Sequence, residues 1–184
     1  MSVGEEYQLP MQKTLATTSG MVVLVDKNDK QVGVEEKITA HRKGLLHRAF
    51  SIFIFDSKGR LLIQKRSASK YHSSNLWSNT CCSHPRPGES TEIAARRRLQ
   101  EEMGINVELQ LVFHFTYFAE LGNGLFESEL DHVFRGSFDD CPTPDLSEVS
   151  DWKWVDMEYL RQDIQDQPDR YTYWLKIIIN KGIL

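Results

Sequence analysis

Glu127 and Glu129 stand two apart in an apolar, strand-like stretch. Both carboxylates therefore point to one face, while Phe126, Leu130 and Phe134 point to the other. Alone, the pair reads as a solvated strand face whose charges repel. A bound cation removes the repulsion and makes the pair useful. Histidines that could complete such a site are His41 and His47, which bracket a tight turn at Gly44, and His84. Three imidazoles and two carboxylates form an N/O set suited to a divalent ion such as Mn²⁺, Zn²⁺ or Mg²⁺. His72, His114 and His132 read instead as surface or satisfied core residues.

Cys82 lies two residues before His84. Beside an imidazolium or a metal cation its thiol would lose its proton more readily. Without one it is a small buried hydrophobe. A Cys/His nucleophilic pair is a poor reading, because residues two apart in an extended loop seldom reach each other. Cations gather at Lys65-Arg66, Lys70 and Arg96-Arg97-Arg98. Arg97–Glu101 and Arg98–Glu102 have i, i+4 spacing and explain part of the pattern as helix salt bridges. If a hairpin end packs beside that helix, Arg66, Lys70 and Arg98 could instead clamp a polyphosphate, with Glu102 holding a Mg²⁺ that the phosphates share.

The elements that must place these groups follow from periodicity. Strands are expected at Met21–Asp26, Leu46–Phe55, Arg60–Lys65, Val107–Ala119, Phe126–Phe138 and Trp152–Val155. Apolar residues on both faces of Leu46–Phe55 mark it as a central, doubly covered strand. Ser90 is a plausible N-cap for a helix ending at Met103 before Gly104, with Ala95, Leu99 and Met103 as its buried stripe. A helix over Met157–Gln162 and a last one from about Arg170 follow, the latter with Tyr171, Trp174, Ile177 and Ile178 on one face. Together these predict a single α+β domain over 20–184, a mixed sheet flanked by helices (α/β/α), preceded by a loose arm over 1–19 that folds over the body.

Composition limits the function classes. The chain has 184 residues, 22 Lys plus Arg and 26 Asp plus Glu, a net charge of −4. A mildly acidic chain is a poor nucleic-acid or anionic-membrane binder, so attraction to phosphate must come from a local cluster. Three cysteines, two of them neighbours, exclude a disulfide scaffold and point to a reducing, cytoplasmic setting. No apolar run has the length of a signal peptide or a bilayer span.

Glu89, Arg97, Leu99, Glu101, Glu102, Gly104 and Ile105 resemble the Nudix box, with Ser83 in place of its first Gly and Arg98 in place of the Glu of its Arg-Glu pair. That Glu is a metal ligand in Nudix hydrolases, and a cation there repels the metal set. The segments HRKGLLHRAFSIFIF, LLIQKRSASKY, LWSNTCCSHPRPGES and ESELDHVF look like the type I isopentenyl-diphosphate isomerase family, which has the Nudix fold with this altered box.

The resemblance implies reversible conversion of isopentenyl to dimethylallyl diphosphate, a step of isoprenoid biosynthesis, through a tertiary carbocation. By position it makes Cys82 and Glu129 the opposed acid/base pair, with Tyr117 assisting Glu129 and Trp174 covering the hydrocarbon. It implies one metal (Mn²⁺, Zn²⁺ or Mg²⁺) at His41, His47, His84, Glu127 and Glu129, and a Mg²⁺ between the diphosphate and Glu102. Lys37, Arg66, Lys70 and Arg98 match diphosphate-contacting positions. The expected partner is a small isoprenoid diphosphate, handled by a monomer or homodimer. Two other readings stand beside it: a Nudix hydrolase of a nucleoside diphosphate derivative, and a non-catalytic module braced by metal.

Overall fold

Strand β3 (His47–Phe55) is the axis of the structure, a computed structural model that describes residues 20–184. Seven of its nine residues are buried in sequence, so neighbours must cover both its faces and both its edges. It runs antiparallel to β1 (Met21–Val25), β4 (Leu61–Arg66) and β6 (Cys81–Ser83), and parallel to β8 (Leu125–Ser137). The sheet is completed by β2 (Gln31–Glu36) on β1, β5 (Trp77–Ser78) and β9 (Val149–Val155) on β4, and β7 (Gln110–Gly122) on β8. The mixed sheet expected from sequence is present. The anticipated arm over 1–19 lies outside the described residues.

Two apolar layers hold helices to the sheet. On one face Phe53, Phe55, Leu61, Ile63 and Val133 pack against Leu160 and Ile164 of α3 (Met157–Asp166) and Leu175, Ile178 and Ile179 of α4 (Tyr173–Lys181). On the other, Phe50, Ile52, Ile54, Leu62 and Phe134 meet Ala94, Ala95, Leu99 and Met103 of α2 (Thr91–Met103). Fully burying one such side chain contributes about 1.5–3 kcal/mol, so these layers fix the sheet before any polar contact is counted. Ser90 caps α2 by accepting from the Ile93 N–H, and the chain leaves the helix at Gly104 with φ +68°. A Cβ there would lie 2.0 Å from Thr143 Oγ1, so only glycine fits.

The short strands β5 and β6 form where an extended loop is expected, and three further elements depart from the sequence reading. The stretch Lys37–Lys43 forms a seven-residue helix, α1, where only a turn was expected; Glu36 caps it by accepting from Ile38 and Thr39 N–H, and Gly44 ends it. Strand β2 has a largely exposed pattern and carries Gly33, so it lacks the alternation that marks a strand. The last helix begins at Tyr173, not Arg170. Pro168–Arg170 forms a 3₁₀ turn, and Tyr171 pairs with Trp77 and donates its hydroxyl to Asp163, which places it ahead of the helix.

Candidate active site

Parallel pairing of β3 with β8 sets His47 opposite Glu129, and antiparallel pairing sets Tyr117 of β7 opposite the same glutamate. Helix α1 delivers His41 and β6 delivers Cys82, with His84 just beyond it. The ligand atoms of His41, His47, His84 and Glu129 all lie within 4.8 Å of one another. Nδ1–H of His41 donates to the Lys37 carbonyl and Nδ1–H of His47 to that of Leu45, each at 2.7 Å. Both rings are thereby held in the tautomer that turns a bare Nε2 inward. His47 Nε2 lies 3.2 Å from His84 Nε2 and 3.5 Å from Glu129 Oε1, and His84 Nε2 lies 2.9 Å from that oxygen. Lone pairs converging with so few hydrogens between them suit a cation, so the donor set fits a divalent metal.

Glu127 belongs to an adjoining group that shares His41 with this one. Its ligand atom falls with those of His41 and His72. Tyr117 links the two carboxyls, its Oη standing 3.0 Å from Glu127 Oε2 and 2.7 Å from Glu129 Oε2. Burial and the charge of Glu129 push Glu127 well above the usual carboxylate range. Burial also acts on Glu129, but hydrogen bonds from His47 and His84 outweigh it and hold this carboxyl well below that range. The surroundings thus push the two carboxyls in opposite directions. The Tyr117 hydroxyl stands within donating distance of both carboxyls and so couples them.

Cys82 faces these groups across a cleft of about 510 Å³, open solvent at its mouth included, that Trp174, His72 and Lys37 also line. Burial pushes its thiol up to about 12 despite Arg66, whose Nη1 lies 3.9 Å from Sγ. Of the two sequence readings of this thiol, burial favours the protonated one when no metal cation lies beside it. The indole N–H of Trp174 donates to Ser78 Oγ and Asn79 Oδ1, both at 3.0 Å, and its ring packs with Tyr117 and against Cys82. Arg66 stands 5.3 Å over that ring and binds the carbonyls of His72 and Ser73.

The remaining cations gather at the cleft mouth. Lys37, Lys70, Arg97 and Arg98 line a wider opening of about 1190 Å³ together with Arg86. Arg98 binds Glu101, Glu102 and Glu148, so the helix salt bridge foreseen from spacing exists and also faces the cleft. Glu102 is buried and accepts from Gln64 Nε2 at 3.1 Å.

Every residue singled out above lines the cleft or binds a residue that does. Three that sequence reasoning passed over belong with them. His72, set aside as a surface or core histidine, is a cleft residue whose Nδ1 lies 3.9 Å from Glu127; burial first, then Arg66 and Lys37, hold it at about 2. Tyr71 lies 3.5 Å from His41 Nε2. Glu148 binds both Lys70 and Arg98. None sits in a periodic element, so no local pattern marked it. His132 pairs with Asp29, and the His114 ring lies tilted beside it at 5.7 Å between centroids, away from the cleft, as expected. Cys141 is exposed and apart.

The NUDIX domain family matches residues 45–175. A protein of Aromatoleum aromaticum named isopentenyl-diphosphate Delta-isomerase 1 is 59% identical over 162 residues, covering 88% of this chain and 92% of its own length. One of Photorhabdus laumondii, isopentenyl-diphosphate Delta-isomerase 2, is 57% identical over 160 residues, 87% of this chain and 90% of that one. Among solved structures, a Deinococcus radiodurans protein superposes with a TM-score of 0.74 at 23% identity over 88% of this chain and 98% of its own. A MutT protein of Methanosarcina mazei gives 0.61 at 17% over 74% and 91%. These last two share the fold.

Proposed function

Because the chain belongs to the isopentenyl-diphosphate Delta-isomerases, a family built on the NUDIX domain, we propose that its chemistry runs between Cys82 and Glu129 in the buried cleft. The reaction is the reversible shift of a double bond that interconverts isopentenyl and dimethylallyl diphosphate. One proton is added to an unactivated alkene and another is removed from the neighbouring carbon, by way of a tertiary carbocation. The observation that carries the assignment of roles is that the Cys82 thiol and the Tyr117-linked carboxyls of Glu127 and Glu129 face one cleft.

Cys82 and the Glu127–Tyr117–Glu129 chain offer a proton donor and a proton acceptor from different strands, so each can serve one face of the substrate. Trp174, pinned by Ser78 and Asn79, presents a π face worth about 2 kcal/mol or more to a desolvated cation, without a nucleophilic atom. Burial of Glu129 and Trp174 keeps the reacting end of the cleft away from bulk water, which would trap the cation as an alcohol. Lys37, Arg66, Lys70 and Arg98 hold the diphosphate, turning binding energy into orientation of the alkyl end. At His41, His47, His84, Glu127 and Glu129 a divalent ion would supply positive charge that fixes the carboxylates, and a Mg²⁺ at Glu102 would neutralise the diphosphate. Such a site can act in a monomer or in a homodimer of independent sites. Three free thiols support a reducing, cytoplasmic setting.

The test is incubation with isopentenyl diphosphate in heavy water. Dimethylallyl diphosphate carrying deuterium, with no phosphate released, is expected; phosphate without isomer would assign a hydrolase. Glu129→Gln should lose turnover by about 10²–10⁴-fold while staying folded. Turnover near wild type in that variant removes Glu129 from the proton transfers.

A further inference from the structure

His72 has no part in the proton transfers above, yet it is held in the cleft by several contacts. Arg66 donates to the carbonyls of His72 and Ser73 at 3.2 and 3.1 Å. The imidazole lies edge-on to Trp174 at 6.0 Å and stacks on His41 at 5.8 Å between centroids. Its loop is thereby fixed by a buried guanidinium, and the ring is aimed at the metal-ligating histidine and away from solvent.

The ligand atoms of His41, His72 and Glu127 lie within 4.8 Å of one another, as do those of His41, His47, His84 and Glu129. The two groups meet at His41. Since His41 Nδ1–H is committed to the Lys37 carbonyl, this ring has one free nitrogen, and one nitrogen binds one ion. Two groups that share it cannot each hold an ion through that nitrogen, so an ion bound there stands beside the donors of both. We propose that His72 is a further ligand of that ion, completing a set of four imidazoles and two carboxylates. The proposal rests on the His/Glu metal reading above and extends it by one residue.

Six donors from the protein have two chemical consequences. Four imidazoles favour Mn²⁺, Fe²⁺ or Co²⁺ and disfavour Mg²⁺, which prefers oxygen and keeps its waters. A shell filled by side chains also leaves no position for an activated water, the nucleophile that hydrolytic metal sites keep open. His72 thus helps to keep this NUDIX-fold cleft from hydrolysing its substrate.

The full-length protein is stripped of metal and titrated with Mn²⁺, reading affinity by the free-ion EPR signal and bound water by proton relaxation. Wild type should show no exchanging inner-sphere water. His72→Ala should bind at least about tenfold more weakly and gain relaxivity as water enters the vacated position. His72→Gln, which keeps a polar donor in the loop, should fall between, with circular dichroism confirming the fold of both. If His72→Ala matches wild type in affinity and relaxivity while His47→Ala loses the ion, His72 is not a ligand and the parent reading survives. If His47→Ala also binds like wild type, both readings fail. Exchanging water already present in wild type overturns the closed shell.

Discussion

Replacing Tyr117 by Phe removes one oxygen and leaves the ring that stacks on Phe115 at 5.6 Å and packs with Trp174. That oxygen is the bridge between the two carboxyls, 2.7 Å from Glu129 and 3.0 Å from Glu127. A hydrogen bond to a charged group contributes about 1.5–3 kcal/mol. At about 1.4 kcal/mol per tenfold, its loss from a group that must exchange a proton slows turnover by roughly 12- to 140-fold. Tyr117 does not line the cationic mouth, so KM for isopentenyl diphosphate should stay within about twofold of wild type. Initial rates of dimethylallyl diphosphate formation, measured across substrate concentration with stability followed by thermal melting, separate the two parameters. A kcat within twofold of wild type would refute the bridge. A large rise in KM at constant kcat would place Tyr117 in substrate binding instead.

Two further expectations concern pH. With its thiol raised to about 12 by burial, Cys82 should react with iodoacetamide at pH 8 far more slowly than exposed Cys141; mass-spectrometric labelling that finds Cys82 modified first would contradict the protonated-donor role. Burial and the charge of Glu129 raise Asp131 to about 8, while Ser51 Oγ donates to it at 2.8 Å. A carboxyl whose folded value is raised stabilises the fold below its ordinary value near 3.8 and loses that contribution as pH climbs towards 8. Metal-free Asp131→Asn should therefore melt increasingly above wild type between pH 4 and pH 8, and a constant difference across that window would show that Asp131 is already ionised.

Much of the framework was legible in the residues. The doubly apolar run at β3 announced a central strand, and the Ser90 cap, the Ala95–Leu99–Met103 stripe and Gly104 bounded α2 to the residue. These signals are local: side-chain period and cap chemistry act within a few positions. The two-residue spacing of Glu127 and Glu129 likewise placed both carboxyls on one face. The motif Asn79 to His84 and the altered box around Glu102 carried the family resemblance and, through it, the proposed site residues.

What the sequence alone left open was decided by contacts between distant segments. His47 meets Glu129 only because β3 and β8 pair in parallel at one register, and a shift by one residue would turn His47 to the opposite face. Surroundings, not residue type, push the Glu127 carboxyl and the Cys82 thiol up by burial and pull Glu129 down through His47 and His84. His72 and Glu148 lie in irregular loops, where no period marks a facing direction, and it is the anchoring by Arg66, Lys70 and Arg98 that brings them to the cleft. Residue identities supplied the donors and acceptors. Their distances and proton affinities arose only when the folded chain removed water from around them.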